Sequence, residues 1–193
     1  MARLGIVKVR GEHDVNTYIL TSSDPKESVV IDPSAPAEKI LDQLQGATVR
    51  WIVATHGHAG HLSGKDAVKA ATGGATAMHV ADAKTFLRSA DRYLLDGDEL
   101  PFGAFRLRVL SMPGHTPGSL AYQIGNHLFI GDTLLAGGIG KEGPETDLRQ
   151  QLLSIASRLQ GMPLETAIYP GHGPVTNLAA EVERNPVFRG PSG

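Results

Sequence analysis

The sequence predicts an α/β (α+β) fold of two mixed β-sheets covered by helices. Three observations carry this. Short strand-like and helix-like runs are mixed along the whole chain, without the regular alternation of a simple doubly wound parallel sheet. Hairpin-like pairs occur in both halves. Side chains of ligand type stand repeatedly where a strand stops, as they do when several strand ends meet at one edge of a fold. At 193 residues the chain is one domain in length, and residues 1–193 are read as one unit.

Taken in order, residues 4–10 alternate loosely and read as a strand, followed by strands at 15–20 and 28–32. Pro33 and Pro36 stop the third. Residues 37–45 carry Ile40, Leu41 and Leu44 at helical spacing, with Gly46 as a stop. Residues 49–54 form an unbroken apolar run with the chain's one Trp, Trp51, which suits a strand buried on both faces. A helix at 61–71, a strand at 75–80 and a helix at 81–88 follow. Residues 99–110 read as a hairpin through Phe102-Gly103-Ala104, with Phe105, Leu107 and Val109 on one face. Residues 119–130 read as a second hairpin turning at Gly125-Asn126. Residues 147–159 form an amphipathic helix with Leu148, Leu152, Ile155 and Leu159 on one stripe. A strand at 166–169 and a helix at 178–184 close the order.

Composition excludes several classes. Apolar residues are 41% and charged residues 20%, ordinary for a globular protein, and Gly and Pro (23 and 12) fall short of a disordered composition. A net charge of −2 gives no footprint for nucleic acid or an anionic membrane surface. No apolar run is long enough to span a bilayer, and the start lacks a secretory h-region. There is no Cys, which removes thiolate metal sites, iron–sulfur clusters and cysteine nucleophiles and points to a cytoplasmic setting. The informative residue is His, of which there are eight.

Five of the eight sit in three Gly-rich clusters. The first is Thr55-His56-Gly57-His58-Ala59-Gly60-His61. It directly follows the apolar strand. Residues i and i+2 of an extended segment project to the same side, so His56 and His58 reach one point. Imidazole ligates zinc, iron, copper and nickel. His115 stands in Pro113-Gly114-His115-Thr116-Pro117-Gly118, and His172 in Tyr169-Pro170-Gly171-His172-Gly173-Pro174. Asp132 in Gly131-Asp132-Thr133 adds a carboxylate at a strand end. His13, His79 and His127, outside these clusters, read as packing or surface residues, and Asp14 as a turn residue.

These motifs together resemble the metallo-β-lactamase-fold hydrolases, and among them the glyoxalase II group. The likeness runs through Val30-Ile31-Asp32-Pro33, the His56–His61 cluster, the His115 loop, Gly131-Asp132-Thr133-Leu134 and the His172 loop, so it covers nearly the whole chain. It implies a four-layer αββα sandwich with a metal site at one edge. It also implies a first metal held by His56, His58 and His115, a second held by His61 and His172, and Asp132 bridging the two. Two departures qualify this. Gly60 stands where the family has an Asp ligand, which leaves the second site weak. Only 21 residues follow His172 in this sequence, and the expectation is a short form without the helical glutathione-binding domain of full glyoxalase II enzymes.

Three His and one water make a recognised catalytic zinc arrangement, and such a zinc brings the pKa of its water to about 7. The expectation is therefore a metal-dependent hydrolase of a small-molecule thioester or related acyl compound, acting by attack of a metal-held hydroxide. One zinc is firmly bound and a second weakly, with iron as the alternative ion. Asp132 and His172 are the expected catalytic groups, and Lys141, in the place of the family's usual Arg, could hold an anionic group of the substrate. Two other readings stand beside this. Persulfide dioxygenases resemble the chain in the same motifs and hold one iron through positions matching His56, His115 and Asp132. A non-enzymatic or weakly catalytic member is the third reading.

Overall fold

The computed structural model describes residues 1–140 and 143–189. Its strands form two six-stranded sheets. The first sheet holds β1 (Leu4–Arg10), β2 (Asn16–Ser23), β3 (Lys26–Ile31), β4 (Thr48–Val53), β5 (Ala75–His79) and β6 (Arg92–Leu94), side by side in that order. β1, β2 and β3 pair antiparallel, and β3 to β6 pair parallel. The parallel half needs crossovers, which α1 (Ala37–Leu44), α2 (Ala59–Leu62), α3 (Lys65–Thr72) and α4 (Val80–Thr85) supply.

The second sheet runs β12-β11-β10-β9-β8-β7. Its strands are β7 (Glu99–Phe102), β8 (Phe105–Ser111), β9 (Leu120–Ile124), β10 (His127–Gly131), β11 (Ala167–Pro170) and β12 (Thr176–Asn177). All pairs are antiparallel except β10 and β11, which the helix α5 (Leu148–Leu159) connects. Helix α6 (Leu178–Arg184) follows β12.

Alternation along the strands sorts the side chains into layers. Tyr18, Leu20, Val29 and Ile31 of the first sheet meet Leu107, Val109, Tyr122 and Phe129 of the second. The residues between them point outward. Ile19, Val30 and Ile52 pack with Ile40 of α1 and Val68 of α3. Leu110, Ala121, Leu128 and Ile130 pack with Ile155 and Leu159 of α5 and Leu178 of α6. The layers are therefore helix, sheet, sheet, helix, as the family resemblance implied.

Several elements differ from expectation. The helix expected at 61–71 is broken into α2 and α3 at Ser63-Gly64. A Cβ on Gly64 would lie 2.6 Å from the Ala35 carbonyl oxygen, and the Gly64 N–H donates to the Pro33 carbonyl at 2.7 Å. Backbone contact thus takes precedence over helical continuity there. β4 is not buried on both faces throughout, since Thr48 and Arg50 are exposed and Trp51 is half-buried, donating from Nε1 to the Pro101 carbonyl. On α5 the buried positions are Gln151, Ser154, Ile155 and Leu159, while Leu148 and Leu152 are exposed. The N-terminal half of α5 covers polar loops, so Gln151 donates to the Thr133 carbonyl and Ser154 to the Pro113 carbonyl. β6 and β12, of three and two residues, were too short to carry a pattern.

Candidate metal centre

The parallel pairs β3/β4 and β10/β11 bring four strand ends to one edge of the sandwich. Asp32 follows β3, Thr55-His56 follows β4, Asp132 follows β10 and Gly171-His172 follows β11. The β8–β9 loop adds His115. The six histidine and aspartate residues expected at the site are thereby neighbours. The donor atoms of His56, His58 and His115 lie within 4.8 Å of one another, as do those of His56, His61 and Asp132. His172 stands beside the second set, its Nδ1 2.9 Å from Asp132 Oδ1. The close fit depends on Gly171, where a Cβ would strike Asp132 Oδ1 and the His61 ring. Lys141 lies outside the described residues.

The orientation of the ligands comes from residues the sequence reading left without a role. Asp32, 1% exposed, accepts hydrogen bonds from the Thr55 N–H, from Thr55 Oγ1 and from His61 Nδ1, at 2.7, 2.7 and 3.0 Å. Thr55 Oγ1, having donated its proton to Asp32, is left to accept from His56 Nδ1 at 3.1 Å. In the neutral rings both chains of bonds place the proton on Nδ1, so Nε2 of His56 carries a free lone pair, and Nε2 of His61 carries one once the ring gives up its second proton. The Nε2 atoms of His56 and His61 are indeed buried without a hydrogen-bond partner. A buried imidazole nitrogen pointing at other donors and at no proton is what a metal position requires. On His58 the polarity is reversed, since Nε2 lies 2.5 Å from Glu145 Oε1 and Nδ1 faces His115 Nε2 at 3.3 Å. Asp82, fully buried, ties the two histidine loops together by accepting from the Gly57 N–H, the Gly118 N–H and Thr116 Oγ1.

The electrostatics follow from burial and from the two carboxylates. Burial pushes His56 well below the usual imidazole range, reinforced by the charge on His61. Burial likewise lowers His115, to about 4, against the pull of Asp132. Burial also acts to lower His61, but Asp32 and Asp132 outweigh it and lift the group to about 9. Burial would raise Asp132, yet the bond from His172 and the charge of the facing His61 ring hold it well below the carboxylate range. Asp132 is thus an anion at any ordinary pH, and His56 and His115 are neutral and free to ligate.

The donors open into a cavity of about 930 Å³. His58, His115, Asp132 and His172 line it, with Glu145, Lys8 and Arg10 as further charged groups and His13 and Asp14 at the edge of β2. Asp14 and Arg10 form an exposed ion pair at 2.6 Å. Of the histidines read as packing or surface residues, His79 caps α4 by accepting from the Ala81 N–H, and His127 bonds the Tyr169 hydroxyl. Asp32, Asp82 and Glu145 were missed because their partners lie 23 to 29, 25 to 36 and 87 residues away in the chain. The strand-end position of Asp32, matching that of Asp132, was the one signal that could have drawn attention to it.

Known proteins resemble the chain along most of its length. The chain is 34% identical over 164 residues to a hydroxyacylglutathione hydrolase of Brucella anthropi, covering 81% of this chain and 61% of that protein. It is 31% identical over 162 residues to the human mitochondrial persulfide dioxygenase ETHE1, covering 81% and 63%. The chain therefore spans about three fifths of the length of each. The crystal structure of TTHA1623 in a di-iron-bound form superposes with a TM-score of 0.79 at 30% identity, over 94% of this chain and 98% of that one. The sequence profile that matches, over residues 10–172, is that of the metallo-beta-lactamase superfamily. With the layered sheets, the strand-end histidines and this match in agreement, the chain belongs to the metallo-beta-lactamase superfamily.

Proposed function

We propose that the protein is a metal-dependent hydrolase of a small acyl compound, a thioester first, acting in the cytoplasm. The observation that carries this is the pair of buried, partnerless nitrogens, His56 Nε2 and His61 Nε2, each in a compact donor set. His56, His58 and His115 would hold the first ion. Asp132 and His61, with His172 beside them, would hold a weaker second. A zinc or iron ion in such donors supplies a Lewis acid and a nucleophile at neutral pH.

The protein's own residues then have defined work. Asp132 Oδ1 is engaged by His172, so Oδ2, which faces His61 Nε2 at 3.6 Å, is the oxygen left to orient a water. Its strong acidity makes it an anchor for that water rather than a resting place for the proton. With the second position empty, His172, half-buried at the cavity wall, can carry the proton outward. In the net reaction the water oxygen bonds to the acyl carbon, the carbon–sulfur bond breaks, and sulfur leaves as thiolate with no proton required. Glu145 accepts from His58 Nε2 and so keeps Nδ1 available. We further place Lys141 in binding an anionic end of the substrate.

His58→Ala is expected to lower kcat/KM for a glutathione thioester by at least about 10²-fold, in line with loss of an essential electrostatic element. Turnover unchanged from wild type would overturn the assignment. The second reading is an iron-dependent persulfide dioxygenase. It is favoured by the likeness to ETHE1 and by His56, His61 and Asp132, which form a compact two-imidazole, one-carboxylate set. That set differs from the expected one, which used His115 in place of His61. Oxygen uptake by iron-loaded protein with glutathione persulfide, without thioester hydrolysis, would select the dioxygenase.

A further inference from the structure

The second donor set is open on one side. His61 Nε2 faces Asp132 Oδ2 at 3.6 Å, and His172 bonds the other oxygen of the same carboxylate. The residue before His61 in α2 is Gly60, which offers no donor. A Cβ placed on Gly60 would meet two atoms within 4 Å, Val15 Cγ2 at 3.7 Å and His13 Cδ2 at 4.0 Å. The space that a ligand from position 60 would fill is thus walled by one methyl group and the edge of one imidazole.

That imidazole is fixed to the site by its backbone. His13 lies in a 3₁₀ turn, Glu12–Asp14, between β1 and β2. The Gly11 N–H donates to the Val15 carbonyl and closes the turn. Val15 forms a β-bridge with His172, and the Asn16 N–H donates to the Gly171 carbonyl. The Asn16 side-chain amide adds bonds to the carbonyls of Pro170 and Gly173, on both sides of His172. His13 is therefore two residues from a direct pairing with a candidate ligand. Its side chain is exposed and lines the same cavity as His172 and Asp132.

We propose that His13 supplies the second metal position with the donor that Gly60 lacks, completing a set with His61, His172 and Asp132. The proposal rests on the metal-centre reading above. Three imidazoles and one carboxylate favour zinc, iron, copper or nickel over magnesium or calcium, which seek oxygen. His13 is not a member of the two compact donor sets, so the second ion draws the turn inward. The first ion leaves it in place.

The test is a calorimetric titration of metal-stripped protein with Zn²⁺, joined to nitrogen NMR of the histidine rings. Wild type is expected to take two equivalents, the second more weakly. His13→Ala should keep the first and weaken the second by about tenfold or more, the scale of losing a contact that tunes a metal site. Adding Gly60→Asp to His13→Ala should restore the second equivalent, because a Cβ at position 60 meets only ordinary contacts. The His13 ring nitrogens should shift with the second equivalent and not with the first. A His13→Ala isotherm matching wild type overturns the proposal, as do His13 resonances unmoved through the second equivalent. A wild-type titration that stops at one equivalent also overturns it, while the first-site reading stands. Folded protein that takes no zinc overturns the metal-centre reading and this proposal with it.

Discussion

Asp32 governs two of the candidate ligands without touching the metal positions. It is buried and accepts three hydrogen bonds, one from the His61 ring and two from Thr55, whose hydroxyl in turn orients His56. Asp32→Asn keeps the shape but puts an amide N–H₂ on one face of the group. That face can no longer accept from Thr55 Oγ1 and His61 Nδ1, so His61 is released to the tautomer with its proton on Nε2. Metal affinity at the second position should fall by about 10- to 100-fold, with a smaller loss at the first. Asp32→Ala leaves the same donors buried and unsatisfied and should cost about 2–4 kcal/mol of stability. Denaturant melts and zinc titrations of the two variants separate these effects, and an Asp32→Asn protein with wild-type zinc affinity would refute the orienting role. The ligands themselves were legible in the sequence because their spacing is local, with His56 and His58 two apart on one extended segment. Glu145 was not, because it meets His58 across 87 residues of chain.

At the scale of elements, the decisive contact is the clamp at the start of α4. Asp82 joins the loop after β4 to the loop before β9 through three accepted hydrogen bonds. It therefore sets the spacing between the His56–His58 pair and His115. Asp82→Ala should cost about 3 kcal/mol by stranding two backbone N–H groups and a hydroxyl, which lowers Tm by roughly 6–12 °C for a domain of this size. It should also weaken the first metal position. Asp147 provides the contrast, since it caps α5 by accepting from the Gln150 N–H at 2.9 Å. Asp147→Ala should cost about 1 kcal/mol and leave zinc affinity unchanged. Equal effects of the two variants on zinc affinity would argue against the clamp. The hairpins β7/β8 and β9/β10 were readable because a local turn fixes their register. The exposed leucines of α5 and the break between α2 and α3 were not, because loops brought from elsewhere decide both.

The two sheets were foreseeable because alternation along each strand separates a shared interior from two outer helical faces. The strand order was not, since it depends on crossovers whose pairing no single segment encodes. Gathering so many imidazoles at one edge gives the whole molecule a pH signature when metal is absent. In the unfolded chain each histidine titrates near the ordinary imidazole value of about 6.5, whereas in the folded protein burial brings His115 to about 4 and holds His56 well below 6.5. Below 6.5 the unfolded state therefore binds more protons, and stability falls as the pH drops toward 4. Each group contributes a slope of about 1.4 kcal/mol per pH unit across its own window. His61 has the opposite sign. Its folded value of about 9 makes its contribution complete below 6.5 and lost as the pH rises from 6.5 through 9. Stability of the metal-stripped protein should peak near pH 6.5 and decline on both sides, more steeply on the acid limb. Urea denaturation from pH 4 to 9 reads the curve directly, and His61→Ala should flatten the alkaline limb and, by removing a charge that helps to lower His56 and His115, soften the acid limb. In wild type the same proton on His61 competes with the second ion, so zinc affinity at that position should rise with pH up to about 9, a competition that His56 and His115 of the first position, both lowered, do not add. A second-site affinity independent of pH over that range would show that His61 does not give up its proton to bind metal.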